Sequence, residues 1–141
     1  MTKPWYPKTL EKFWKKRVKD WMIADIGICL RKNNWVNVGA MTLMCCYIDF
    51  FGTLITGGNG GRKAFYAFIK NYLSKVDKRY NFWRCKIYED FRCGLVHEAV
   101  MRKRNGIFRG DDPSDKRYKH LGVKSNILWI DVKKFFNDYK K

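Results

Sequence analysis

Apolar residues recur every three to four positions from Leu10 onward, at Phe13, Trp14, Val18, Trp21 and Met22. That spacing predicts an amphipathic helix over about residues 8–30. Lys15, Lys16, Arg17 and Lys19 fall mostly off its apolar stripe. Pro4 and Pro7 punctuate an extended start, Thr9 with Lys12 makes a poor capping box, and the turn RKNN closes the helix. The run from Trp35 to Thr56 is apolar all round, which predicts a second helix buried on most sides. A third helix is expected over residues 62–75, with Phe65, Phe68, Ile69, Tyr72 and Leu73 as its stripe. After the connector VDKRYN, a fourth starts near Asn81. It carries Trp83, Ile87, Phe91 and Leu95 at fourfold spacing, and His97 lies near its far end.

Beyond the basic cluster Arg102, Lys103 and Arg104 the pattern turns polar and irregular. Asn105-Gly106 signals a tight turn, and GIFRG and ILWI read as two short strands of a hairpin. Asp131 is placed to cap a last helix with Val132, Phe135, Phe136 and Tyr139 on one face. The expected fold is mainly α: one domain over residues 1–141, a four- to five-helix bundle with a small irregular or β-hairpin insert near 105–130.

Charge changes this picture. Thirty Lys and Arg against thirteen Asp and Glu leave a formal charge of +17, which favours a polyanionic partner, nucleic acid or an anionic membrane surface. Aromatic residues make up 17% of the chain, too many for a disordered segment. The five cysteines, Cys29, Cys45, Cys46, Cys85 and Cys93, are odd in number and lack CxxC spacing. They point to reduced thiols in the cytoplasm, with no disulfide framework, no zinc site and no cofactor expected. The first twenty residues have no apolar core or cleavage site, so no signal peptide is expected. Trp35 to Ile55 has the length of a membrane span, but Asp49 within it would cost roughly 2.5–3.5 kcal/mol on insertion. A buried helix is the expectation, and a membrane-associated protein the rival. TGGNGGRK invites a phosphate-loop reading, yet Ala64 stands where Ser or Thr is needed; a helix C-cap and flexible turn is expected instead.

The chemistry concentrates in IYEDFRCGLVHEAV, where Arg92 precedes His97 by five positions. Histidine titrates near neutrality and can take or give a proton; arginine stays charged and matches phosphate oxygens with its fork. On an ideal α-helix five residues turn about 140° and rise about 7.5 Å, so the pair does not share one face as i and i+4 would, although Gly94 between them can loosen the turn and arginine has reach. A second copy across a two-fold axis is then needed to build the site. The plain alternatives are a helix-end histidine bonded to a carbonyl or carboxylate, and an Arg92 salt bridge to Glu89.

Arginine, a spacer of Cys93, Gly94, Leu95 and Val96, then histidine, framed by IYEDF and EAV on a late helix, resembles the HEPN family. The resemblance spans roughly residues 8–104, with one departure: Cys93 stands where members often carry a polar residue such as Asn. It implies metal-independent cleavage of RNA by a homodimer, each subunit contributing Arg92 and His97 to a shared cleft. It also implies roles in defence or in toxin–antitoxin pairs with a neutralising protein partner. The alternative on the same scaffold is a non-catalytic nucleic-acid- or partner-binding domain.

Asp49, alone in an apolar helix, needs a partner, and Arg92 or His97 is the candidate; the other reading puts it on a solvent-facing strip. Glu98 is a candidate assistant to His97, although adjacent helical positions point about 100° apart. Arg102, Lys103 and Arg104 either hold RNA phosphates or solvate a helix end and favour its dipole. His120, in RYKHLG, is expected at the surface of a loop, and Asp111, Asp112 and Asp115 in a solvated turn without calcium-loop spacing.

Overall fold

The protein's structure, a computed structural model, describes residues 9–31, 36–111 and 117–141. Pro4, Pro7, most of the RKNN turn, Trp35, Asp112, Asp115 and the side chain of Arg104 lie outside the described residues.

Helix α1, residues 10–29, starts where Thr9 Oγ1 accepts from Lys12 N. It runs as Leu10–Phe13, a π-wound stretch Trp14–Ile23, and Ala24–Cys29. Helix α2 is Asn37–Ile55. Helix α3, residues 62–76, joins Arg62–Phe68, a π-wound Ile69–Leu73 and Ser74–Val76. Helix α4, residues 79–98, joins Arg79–Lys86 to the π-wound Ile87–Glu98. After a tight turn at Arg102–Arg104 come β1 (Gly106–Phe108), β2 (Gly122–Lys124), β3 (Ile127–Asp131) and helix α5 (Val132–Tyr139). The chain is mainly helical with a small three-stranded sheet.

One buried cluster ties these elements together. Met41, Met44 and Ile48 of α2 meet Phe65 and Ile69 of α3, Phe91 and Leu95 of α4, Leu128 and Ile130 of β3, and Phe135 of α5. Asp131 caps α5 as its position predicts, accepting from Lys133 N and Lys134 N.

Helix α2 departs from expectation. Ala40, Met41, Met44, Cys45, Ile48 and Gly52 are buried, but Val38, Cys46, Phe50, Leu54 and Ile55 are exposed. Hydropathy reports composition all round a helix, whereas only the faces that meet neighbours are covered. Among the described residues α2 is the one helix long and apolar enough to cross a membrane, and 33% of that window is buried inside the fold. Its crossing with α3 is close: a Cβ on Gly52 would lie 2.0 Å from the carbonyl oxygen of Ala64. Gly52→Ala must therefore push two helices apart, and is expected to destabilise by about 2–3 kcal/mol in a urea titration. Unchanged stability would mean that the crossing is looser than this.

The expected hairpin of GIFRG with ILWI is also corrected. β1 pairs with β3 in parallel, Gly106 opposite Trp129 and Ile107 opposite Ile130. The hairpin partner of β3 is β2, with Val123 opposite Leu128. The turn between them uses Ser125 and Asn126, both in the left-handed region (φ 53° and 62°) that two-residue hairpins demand. Asn105-Gly106 is no tight turn. Asn105 is extended and buried; its Nδ2 donates to Asp90 Oδ2 of α4 (2.8 Å), and its Oδ1 accepts from Leu128 N of β3 (3.0 Å). Its polar side chain joins helix to sheet, a task that local turn statistics do not report.

Candidate functional site

Arg92 and His97 lie on the π-wound half of α4. Hydrogen bonds from i to i+5 widen each turn, so residues five apart come close to the same line along the helix. This corrects the expectation that the two side chains diverge within one subunit: Arg92 Nη1 lies 3.0 Å from His97 Nε2 in a single chain. The 140° separation belonged to ideal α geometry, which this stretch does not adopt. The helix ends at Ala99, which is left-handed (φ 58°), and Val100 N donates back to Gly94 O. A Cβ on Gly94 would meet Val100 O at 2.4 Å, so glycine is what allows the chain to fold back there.

Asp49 reaches the same arginine from α2. Its Oδ2 accepts from Arg92 Nε at 2.6 Å, and the two side chains are only 18% and 17% exposed. This is the partner that an isolated carboxylate in an apolar helix requires. Asp49 Oδ1 is buried and has no hydrogen-bond partner among the described residues. Arg92 Nη1 also donates to Cys93 Sγ at 3.7 Å, and the Tyr88 ring lies 5.5 Å from the guanidinium carbon. Burial pulls the arginine's pKa down, but the hydrogen bonds to Asp49 and Cys93 outweigh it and hold the group above its ordinary value. The guanidinium is thus a fixed cation, oriented from two helices. Because an arginine N–H can only donate, His97 Nε2 accepts in this contact and the ring proton sits on Nδ1. The ring itself is exposed.

The other predicted residues are placed elsewhere. Glu98 is taken by Arg102, whose Nε donates to it at 2.7 Å. That bond holds the Glu98 carboxyl below its ordinary value. Lys103, exposed, has its ammonium 3.9 Å from the buried Asp90. Glu89 pairs with Arg62 at 3.1 Å, not with Arg92. Asp111 accepts from Lys133 and, more weakly, from Arg109, which hold its carboxyl down to about 2. Two thiols of α2 are not activated: burial pushes Cys45 up, and burial followed by the Asp49 charge does the same to Cys46.

His120 is a second correction. Its side chain is only 9% exposed. Nδ1 accepts from Asp131 N (3.2 Å), so Nε2 carries the proton and donates to Tyr80 Oη (2.8 Å). Tyr80 Oη in turn donates to Asp138 Oδ2 (2.8 Å). Both histidine nitrogens are used inside the fold, where α4, α5 and the β1–β2 connection meet. A histidine in a polar loop sequence gives no sign of this, because its partners are 11 to 40 residues away.

Tyr88 and Arg62 were missed by the sequence reading. Tyr88 stands four residues before Arg92, and in hindsight that spacing on a helix is the signal. A cavity of about 590 Å³ lies elsewhere among the described residues: Trp14, Phe51, Leu54, Phe68, Tyr72 and Tyr139 are among its walls, and Asp49, Arg92 and His97 are not. No protein-family model, no curated protein and no solved structure matches the chain. Fold and site define a mainly helical, strongly basic protein with an aspartate-anchored arginine in contact with an exposed histidine.

Proposed function

We propose that the protein is a metal-independent endoribonuclease of HEPN type, acting as a homodimer with Arg92 and His97 at the shared cleft. The observation that carries this reading is the Asp49–Arg92–His97 chain of contacts, an oriented permanent cation touching a proton-exchanging ring at the surface. The +17 charge favours the polyanionic substrate, and exposed Val96 and Val100 beside His97 favour a covering partner.

RNA carries its own nucleophile. A phosphate oxygen displaces His97 Nε2 from Arg92 Nη1, and the freed nitrogen becomes available for proton transfer. One subunit's imidazole takes the proton of the 2′-hydroxyl, whose oxygen bonds to phosphorus. The phosphorus–5′-oxygen bond breaks, and the leaving oxygen takes a proton from the second subunit's imidazolium. The products are a 2′,3′-cyclic phosphate and a 5′-hydroxyl. Arg92 holds the negative oxygens throughout, and Asp49 keeps Arg92 in place.

The test is incubation with single-stranded RNA, with and without chelator, of the parent and of His97→Ala. Expected is cleavage by the parent in both conditions and loss of cleavage in the variant at unchanged thermal unfolding. Cleavage that survives His97→Ala, or that the chelator stops, would sink the proposal. The second reading is a non-catalytic nucleic-acid- or partner-binding domain, and the exposed Trp14, Leu54 and Ile55 around the apolar cavity favour its partner-binding form. Steep salt-dependent RNA binding with no cleavage in either protein would select it.

A further inference from the structure

Arg92 shares its aromatic plate. Arg62, the first residue of α3, has its guanidinium carbon 5.7 Å from the centroid of the same Tyr88 ring that Arg92 approaches at 5.5 Å. The two cations are therefore no more than about 11 Å apart. Tyr66 of α3 meets Tyr88 edge-on at 5.9 Å, and Arg84 of α4 lies 5.5 Å from the Tyr66 ring. Three arginines thus flank a pair of touching tyrosines on the α3–α4 surface, Arg92 and Arg62 on Tyr88 and Arg84 on Tyr66, starting at the candidate site. Gathering like charges is unfavourable unless anions offset them. Arg92 has Asp49, while among the described residues Arg84 donates to the neutral Asn81. Arg62 has Glu89, but both side chains of that pair are about half exposed, 59% and 42%. Such pairs contribute little, and a phosphate can take the carboxylate's place. The backbone beside Arg62 is open as well: at Gly57, Gly58 and Gly61 a Cβ would meet nothing within 4 Å.

We infer that Arg62, Tyr88 and Arg92 form a two-arginine clamp for a single polynucleotide strand, Arg92 taking the phosphate beside His97 and Arg62 a neighbouring one. The placement of the first phosphate rests on the function proposed above; the second position rests on the arginine–tyrosine geometry alone. The ring holds both guanidiniums with little loss of freedom on binding. Each presents a fork suited to phosphate oxygens. Arg84 extends the same track. Glu89 occupies Arg62 when no strand is bound, so it acts as a competing anion.

The experiment uses fluorescein-labelled oligodeoxyuridines from two to ten nucleotides, which lack the 2′-hydroxyl and are not cleaved by the route proposed. Binding is read by anisotropy for the parent, Arg62→Gln, Glu89→Gln and the surface control Lys70→Gln, with circular dichroism to confirm folding. Expected is an affinity that rises with length in the parent. Arg62→Gln should weaken the longer oligomers about tenfold and lower the salt slope by about 0.7. Glu89→Gln should tighten binding several-fold, and Lys70→Gln should change nothing. Equal binding by the parent and Arg62→Gln at every length, or weaker binding by Glu89→Gln, overturns the clamp. Because these strands lack the nucleophile, a failure of RNA cleavage leaves this result standing. Cleavage with unaltered Arg62→Gln binding removes only the clamp.

Discussion

Arg92→Leu is expected to lower the free energy of unfolding by about 3 kcal/mol, because it strands the Asp49 carboxylate between helices. Asp49 is only 18% exposed, and its Oδ1 has no hydrogen bond among the described residues, so the ion pair through Oδ2 is its main compensation. Replacing both residues, Asp49→Leu with Arg92→Leu, should recover stability to within about 1 kcal/mol of the parent, since a well-packed apolar pair removes the charge and its desolvation together. Urea unfolding of the two single variants and the double variant measures the coupling. Additive losses would show that the pair is solvated enough not to matter. The same cycle bears on function. Asp49→Asn keeps an oxygen acceptor for Arg92 Nε but removes the charge, and should lower both stability and cleavage; an Asn variant indistinguishable from the parent would leave Asp49 without a positioning role. Arg92→Lys keeps a cation but cannot serve Asp49 through Nε and His97 through Nη1 at once, and should resemble Arg92→Leu in activity more than in stability.

Acidification from pH 6.5 to pH 4 is expected to cost the folded state about 3 kcal/mol through His120 alone. Burial pushes the ring's pKa down from 6.5 to about 4; Asp131 and Asp138 oppose the shift, while Lys134 and Arg79 add to it. The sign follows from proton counting. Between these two values the unfolded chain binds a proton that the folded ring refuses, so stability is complete above about pH 6.5, falls as the pH drops, and levels off for this group below about pH 4. The structural cost is specific: a proton on Nδ1 would face the N–H of Asp131, which that nitrogen now accepts. Unfolding free energies measured across pH 4–7 for the parent and for His120→Gln test this. The variant, whatever its absolute stability, should lose His120's share of the slope and keep only what depressed carboxylates such as Asp111 contribute near pH 4. An unchanged slope would assign the acid sensitivity to other groups.

Particular residues show what could be read before the structure. The helices were legible because burying one stripe requires a period near 3.6, and Leu10 to Met22 and Phe65 to Leu73 carry it. The cap at Asp131 was legible because it is a local bond, two and three residues long. So was the need of Asp49 for a cationic partner, because an isolated carboxylate in an apolar helix is costly wherever the helix packs. The contact of Arg92 with His97 was misread, since ideal α geometry was applied to a stretch that winds with i→i+5 bonds. Tyr88 and Arg62 escaped notice because the Tyr88 ring joins arginines of two different helices.

Local physics along the chain determined where the helices lie, which of their residues seek cover, the strongly basic surface, and the neighbourhood of Arg92 and His97. Tertiary packing alone decided that β1 runs parallel to β3, that Asn105 and His120 are buried, and that α2 covers one face and exposes another. Periodicity and charge are properties of neighbours in sequence, and their energies are set within a few residues. The pairing of strands, the burial of a polar ring and the meeting of Asp49 with Arg92 across 43 residues depend on which surfaces end up in contact. No window of the chain contains that information.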